Sequence, residues 1–265
     1  MTATASPQGS SEPILRVEEA CVSYGKLQVL HAASFEVPRG QITGLIGPNG
    51  AGKSTLFNAI TGNVPLSSGK ITREGRLISG LSPNRIFASG VARTFQIPRP
   101  FARMSVFENV LVSAPGQAGE TAWRALLQMR RVARQERALR DRVRDVVSFC
   151  GLDPVRDLPA GSISGGQQKL LELARVLIAD PELILLDEPA AGVNPRLLDT
   201  LVDKIVTLNG QGKSFLVIEH NMDMVMSLCD PIVVLARGSV ILAGSAAEVA
   251  ADPQVIEAYL GGEAA

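Results

Sequence analysis

The chain is poor in several residue types that announce special chemistry. Aromatic residues make up 4% of its 265 positions, and histidine occurs twice, at His31 and His220. No basic patch is flanked by aromatic residues, which argues against a nucleic-acid partner. Lys plus Arg number 26 and Asp plus Glu number 26, so no bulk field of either sign exists to draw in a polyanion. The three cysteines, Cys21, Cys150 and Cys229, are isolated and form no CxxC pair. Reduced thiols, no cysteine-held metal and a reducing compartment are expected. No apolar run approaches the roughly 20 residues needed to cross a bilayer. Residues 1–13, MTATASPQGSSEP, have neither a basic start nor an apolar stretch. They read as a polar, disordered leader and not as a signal peptide.

What is present is an alternating α/β pattern over residues 14–265, with glycine and proline spread along it. Its organising stretch is GPNGAGKST, Gly47 to Thr55. An apolar run, Ile42 to Ile46, precedes it as a buried strand, and Leu56 to Ile60 follows as a helix. Strand, glycine loop and helix in that order form the context of a phosphate-binding loop. Gly47, Gly50 and Gly52 lack Cβ, so backbone N–H groups can curl around a phosphate. The helix near Lys53 aims its positive end at the same anion. Lys53 supplies a point charge to the β- and γ-phosphates, the Ser54 hydroxyl suits Mg²⁺, and Thr55 adds a second hydroxyl. Asn49 is counted with the loop as a nucleotide contact.

Ile14–Tyr24 and Gln28–Val37 read as two strands, with Tyr24 at the turn. There it is either a surface tyrosine or a platform for a base. Lys70–Thr72 and Arg76–Ile78 form a short strand pair, and residues 83–89 a short helix. Val91 to Gln96 reads as a strand ending at Gln96, because Pro98 and Pro100 forbid its continuation. Such strand exits commonly place phosphate and metal ligands. Residues 105–113 and 121–149 are helical by their apolar spacing, with Trp123, Leu126, Leu139, Val143 and Val147 on one face. The opposite face carries many arginines, Arg130 to Arg144, interleaved with Glu136, Asp141 and Asp145. It reads as a solvated face, with lipid headgroups or an acidic partner as the functional alternative.

Gly161 to Gln168, GSISGGQQ, opens a helix over Lys169–Ala179 that Ser164 can cap. Leu183-Ile184-Leu185-Leu186 is a strand buried on both faces, ending in Asp187-Glu188-Pro189. Carboxylates at a buried strand end need a counter-charge. Mg²⁺ near Asp187 would supply one, with Glu188 placed to orient and deprotonate a water. Residues 195–208 form a helix, and residues 214–218 a further buried strand ending in Glu219-His220. The chain closes with strands 231–236 and 240–243 and short helices over 246–259.

In this order, these features resemble the ATP-binding subunit of ABC transporters, over nearly the whole chain from Ile14. ISGGQ at Ile163 to Gln167, between the glycine loop and LLDEP, carries the resemblance. It implies an α/β P-loop NTPase of the ABC ATPase type. A mixed sheet core with an antiparallel β subdomain and an inserted helical subdomain, roughly residues 97–180, is expected. Tyr24 then looks like the aromatic that stacks on adenine, and Gln96 like the glutamine touching Mg²⁺ and the attacking water. Ser164, Gly165, Gly166 and Gln167 look like the signature that completes the opposite subunit's site. Asp187 resembles the metal ligand, Glu188 the catalytic glutamate, and His220 the histidine contacting the γ-phosphate. Asn194 stands where the family often has aspartate.

The finer likeness is to importers of branched-chain and other hydrophobic amino acids. RTFQIPRPFARMSVFENV, DEPAAGVNP, IEHNMDMVMSLCD and IEAYLGG carry it. One departure is ISGGQ itself, where that subunit often has an aromatic residue. Urea, short amides and lipopolysaccharide export are the cargo alternatives, and a soluble ABC ATPase is a further one. The resemblance implies ATP and Mg²⁺ as ligands, and permease subunits and a second ATPase subunit, head-to-tail, as partners. A substrate-binding protein would take part indirectly, and the place would be the cytoplasmic membrane face.

Overall fold

Alternating apolar and polar side chains open the described chain as two antiparallel strands. The structure, a computed structural model, describes residues 12–94, 100–115 and 129–260. β1 (Leu15–Tyr24) and β2 (Leu27–Val37) pair from Leu15 opposite Val37 to Tyr24 opposite Leu27. Leu15, Val17, Ala20 and Val22 are buried, while Arg16 and Glu36 make an exposed ion pair. The period of two thus separates a core face from a wet face. β3 (Ile42–Ile46) is apolar or small throughout and buried throughout. β4 (Ser68–Arg73) and β5 (Arg76–Leu77) complete an antiparallel sheet in the order β2-β1-β4-β5.

A second sheet runs β10-β9-β3-β8-β7-β6. Its members are β6 (Val91–Arg93), β7 (Leu183–Asp187), β8 (Ser214–Ile218), β9 (Ile232–Ala236) and β10 (Ser239–Gly244). β3 is parallel to both β8 and β9, while β10 returns antiparallel to β9. Every residue of β7, β8 and β9 is buried, as a sheet covered on both faces requires. The mixed sheet and the antiparallel sheet are those the sequence resemblance implied.

The described chain divides into two units. The first takes the residues up to Val91, Glu182–Leu185 and those from Leu208 onward. Its core gathers Leu56, Phe57 and Ile60 of α1 (Lys53–Ile60) against Leu15, Leu30, Leu45, Leu216 and Leu235. α2 (Pro83–Ala88) contributes Ile86. The second unit takes Ala92–Pro181 and Leu186–Thr207, so Asp187 and Glu188 belong to it. It holds α3 (Val106–Val112), α4 (Met129–Phe149), α5 (Gly165–Leu177) and the first turns of α6 (Pro195–Gly210). Val143 and Val147 of α4 are buried, while Arg134, Arg137, Arg140 and Arg144 are exposed. Arg140 pairs with Glu136 at 3.0 Å and Arg144 with Asp141. This is the ion-paired, solvated face that its charge pattern suggested.

Several boundaries differ from the sequence reading. β6 stops at Arg93, and Thr94 has left the ladder to accept the Asp187 N–H through Oγ1 at 3.4 Å. Gln96, the expected strand end, lies outside the described residues, as do residues 1–11 of the expected leader and Trp123 and Leu126. α5 begins at Gly165, not at Lys169, because a capping box starts it there. α7 (Met222–Leu228) was not anticipated, although its cap, Asn221, receives the Met224 N–H at 3.0 Å. α8 (Ala246–Ala251) and α9 (Pro253–Leu260) close the described chain.

Candidate nucleotide site

In the first unit the glycine loop leaves β3 and enters α1 through three left-handed turns of backbone. Gly47, Gly50 and Gly52 have φ of 151°, 78° and 103°. At Gly47 the requirement is also steric, since a Cβ there would stand 1.9 Å from the Leu235 carbonyl oxygen. Lys53, the first residue of α1, is buried at 7% exposure. Its ammonium donates to the carbonyls of Gly47 at 2.7 Å and Pro48 at 3.0 Å, so the loop is folded around its own cation. Asn49, Gly50 and Ser54 are exposed, and Thr55 is half-buried. The result is a turn with a buried positive charge and, beside it, the hydroxyls of exposed Ser54 and half-buried Thr55. That is the chemistry an anionic phosphate chain needs.

Tyr24 closes the β1–β2 turn and is 50% exposed. His220 is exposed just after β8. Glu219 before it is buried at 4% exposure, and its carboxylate accepts the backbone N–H groups of His220 at 3.0 Å and Asn221 at 3.3 Å. Tyr259 of α9 is a position sequence reasoning had not connected with the loop. Burial pushes its hydroxyl pKa up, and the Gly47 backbone N–H, donating to it, pulls the other way. Only its place in the closing IEAYLGG could have hinted at this.

The second unit carries the signature and the strand-end carboxylates. Ser164 caps α5: its Oγ accepts the Gln167 N–H at 3.3 Å, and the Gln167 side-chain oxygen accepts the Ser164 N–H at 3.0 Å. The glutamine of ISGGQ is thus engaged in the cap. Gly165 has open space where its Cβ would be. Asp187 is 5% exposed, and its carboxylate receives the Arg93 guanidinium at 2.6 Å. The counter-charge demanded by burial therefore comes from within the chain, from a residue that the sequence reading passed over. Glu188 follows with φ of 48° and is half-buried. Lys169 donates to its carbonyl at 3.2 Å. Asn194 caps α6, its Oδ1 accepting the Leu197 N–H at 3.0 Å. Asparagine and aspartate cap almost equally well, so the departure from the usual aspartate keeps this function.

A glycine loop wrapped on a lysine, a capped SGGQ helix and a buried strand ending in Asp-Glu define an ABC-type ATPase. The family model for ABC transporters matches residues 30–191, and the chain belongs to that family. A second model, for branched-chain amino acid ATP-binding cassette transporters, matches residues 239–265. The chain is similar to a probable branched-chain amino acid transport ATP-binding protein LivG of Archaeoglobus fulgidus. The two are 38% identical over 250 residues, 94% of this chain and 96% of that protein. Among solved structures, it resembles a nucleotide-free ATP-binding cassette of an ABC transporter. The TM-score is 0.81 and the identity 34%, over 93% of this chain and 98% of the other. A cassette in its ADP conformation gives a TM-score of 0.80 and 33% identity, over 95% and 100% of the two chains. The chain is accordingly an ATP-binding subunit that hydrolyses ATP to drive transport, and such a subunit works with permease partners. No helix among the described residues is long and apolar enough to cross a membrane.

Proposed function

We propose that this chain powers an importer of branched-chain or other hydrophobic amino acids. The glycine loop folded around buried Lys53 carries the chemical half of this reading. The C-terminal match over residues 239–265 and the 38% identical relative support the cargo. Lys53 holds the β- and γ-phosphates, the loop amides cradle them, and Tyr24 stacks on the base. Gln96 would touch Mg²⁺ and the attacking water, and His220 the γ-phosphate. Glu188 orients the attacking water and accepts its proton, the task of a general base.

A hard divalent ion takes oxygen ligands. Ser54, Gln96 and Asp187 are the residues that would hold Mg²⁺ through their oxygen atoms, with phosphates completing its shell. No group of three or more His, Cys, Asp or Glu able to hold a metal occurs among the described residues. When bound, Mg²⁺ neutralises charge on the transferring phosphoryl group.

Two such subunits, identical or paralogous, face each other head-to-tail at the cytoplasmic membrane face. Each nucleotide lies between one glycine loop and the partner's Ser164, Gly165 and Gly166. Permease subunits convert closure and release into alternating access, and a substrate-binding protein delivers the amino acid. The test is ATP turnover by the purified chain, followed by leucine uptake in vesicles carrying the reconstituted complex. Lys53→Ala should abolish tight ATP binding in calorimetry. Glu188→Gln should bind ATP but lose about 10²–10⁴ in turnover. Gly165→Asp should bind ATP yet fail to close the pair, because its carboxylate opposes the partner's γ-phosphate. Wild-type turnover in either of the last two variants would overturn the composite site.

A further inference from the structure

α5 grips the segment carrying Glu188 at two points, both within the second unit. Lys169, one turn beyond the signature glycines, donates from Nζ to the Glu188 carbonyl at 3.2 Å. Gly166 lies against α6, where a Cβ would stand 1.7 Å from Leu197 Cδ2. Between these contacts runs the exposed stretch Ala191-Gly192 and the cap residue Asn194.

Glu188 has φ of 48°, a left-handed value that a residue with a Cβ rarely adopts. Such a conformation persists where its surroundings over-determine it, and it sets the direction in which the side chain leaves the backbone. A bond from an ammonium to a carbonyl is charge-assisted and stronger than a neutral one. Lysine's four-carbon stem lets the same contact follow a small displacement of the helix that bears it.

We propose that Lys169 is a positioning residue for the Glu188 carboxylate, so that the signature helix sets the aim of this chain's own general base. This rests on the reading of Glu188 as that base. The helix start offered to a partner-held phosphate and the base acting on the chain's own nucleotide then belong to one mechanical element. Engagement of one site of a head-to-tail pair reaches the chemistry of the other through a single side chain.

The test uses the full purified chain and compares Lys169→Met, Lys169→Arg and Glu188→Gln, with Lys169→Met also placed on Glu188→Gln. Steady-state and single-turnover ATP hydrolysis, ATP affinity by calorimetry and thermal melting by circular dichroism are measured for each. Lys169→Met should lower kcat by about 10–100-fold, as expected of a displaced reacting group, with KM, ATP affinity and melting unchanged. Lys169→Arg should recover most of the rate. On Glu188→Gln, Lys169→Met should cause no further loss, because the group it aims is already disabled. The proposal is overturned if Lys169→Met turns over like wild type, or if its loss repeats in full on Glu188→Gln. It also fails if kcat, affinity and melting fall together and arginine does not restore them. Should Glu188→Gln itself hydrolyse at the wild-type rate, the general-base assignment fails instead, and that result is read directly from the single variant.

Discussion

The Arg93–Asp187 pair offers a measurement in which burial alone separates two outcomes. Its N–O distance is 2.6 Å, and the side chains are 12% and 6% exposed. Arg140–Glu136 on α4 has the same chemistry at 3.0 Å, with side chains 47% and 56% exposed. Replacing Arg93 by methionine keeps most of the apolar stem but leaves the Asp187 carboxylate out of water without its cation. Removing one partner of a buried pair costs about 3–5 kcal/mol, because the remaining charge is uncompensated. An exposed i,i+4 pair contributes about 0.3–0.5 kcal/mol. Arg93→Met should therefore lose roughly ten times as much stability as Arg140→Met. Urea unfolding followed by far-UV circular dichroism at pH 7 reads both as midpoint shifts at constant slope. The double change Arg93→Met/Asp187→Leu should recover most of the loss, since two apolar side chains replace a buried pair at little cost. If Arg93→Met shifts the midpoint no more than Arg140→Met, the buried carboxylate is compensated elsewhere and the assignment of Arg93 as its counter-charge is wrong.

Other outcomes follow from equally local features. Tyr24→Ala should weaken ATP binding by about 1–3 kcal/mol, the contribution of a base–aromatic stack, and Tyr24→Phe should keep most of it. Equal calorimetric affinities for Tyr24→Ala and wild type would leave Tyr24 as a turn residue. Burial pushes the Cys150 and Cys229 thiols up to about 12. Both should resist a maleimide at pH 7.5 in the folded chain and react once urea unfolds it; rapid native labelling of either would contradict the packing. The Ser105 backbone N–H and hydroxyl hold the Glu108 carboxyl below its ordinary value. With the folded pKa depressed, this contact stabilises α3 above the unfolded pKa and is lost as pH falls through the folded one. The stability gap between wild type and Glu108→Ala should thus be widest near neutrality and shrink below about pH 4, the unfolded carboxylate range. A gap that does not change with pH would show the cap to be independent of charge.

Much of the fold and of the candidate site was legible because it depends on chemistry between near neighbours. The run Ile42–Ile46 before GPNGAGKST dictates a buried strand, a glycine turn and a helix start, since few other conformations accommodate those residues. LILLD had to be a covered strand, and Ser164 three residues before Gln167 had to cap a helix. Even the missed α7 had its signal in Asn221, a strong cap before Met222–Leu228. Where β6 stops was harder, because Thr94 leaves the ladder for a partner in β7.

What the sequence by itself determined, then, was the set of motifs, their secondary structure and the reaction class they serve. Each of these rests on interactions spanning a few residues, whose geometry follows from backbone sterics and capping. Only the tertiary structure decided which groups support the motifs. Arg93 meets Asp187 across 94 residues of sequence, and Lys169 meets Glu188 across 19. Tyr259 reaches Gly47 from the last described helix. A buried charge takes whichever counter-charge the packing delivers, and a backbone carbonyl accepts from any donor brought within reach. Those partners are chosen by the folding of distant segments onto one another, which no local pattern of residues records.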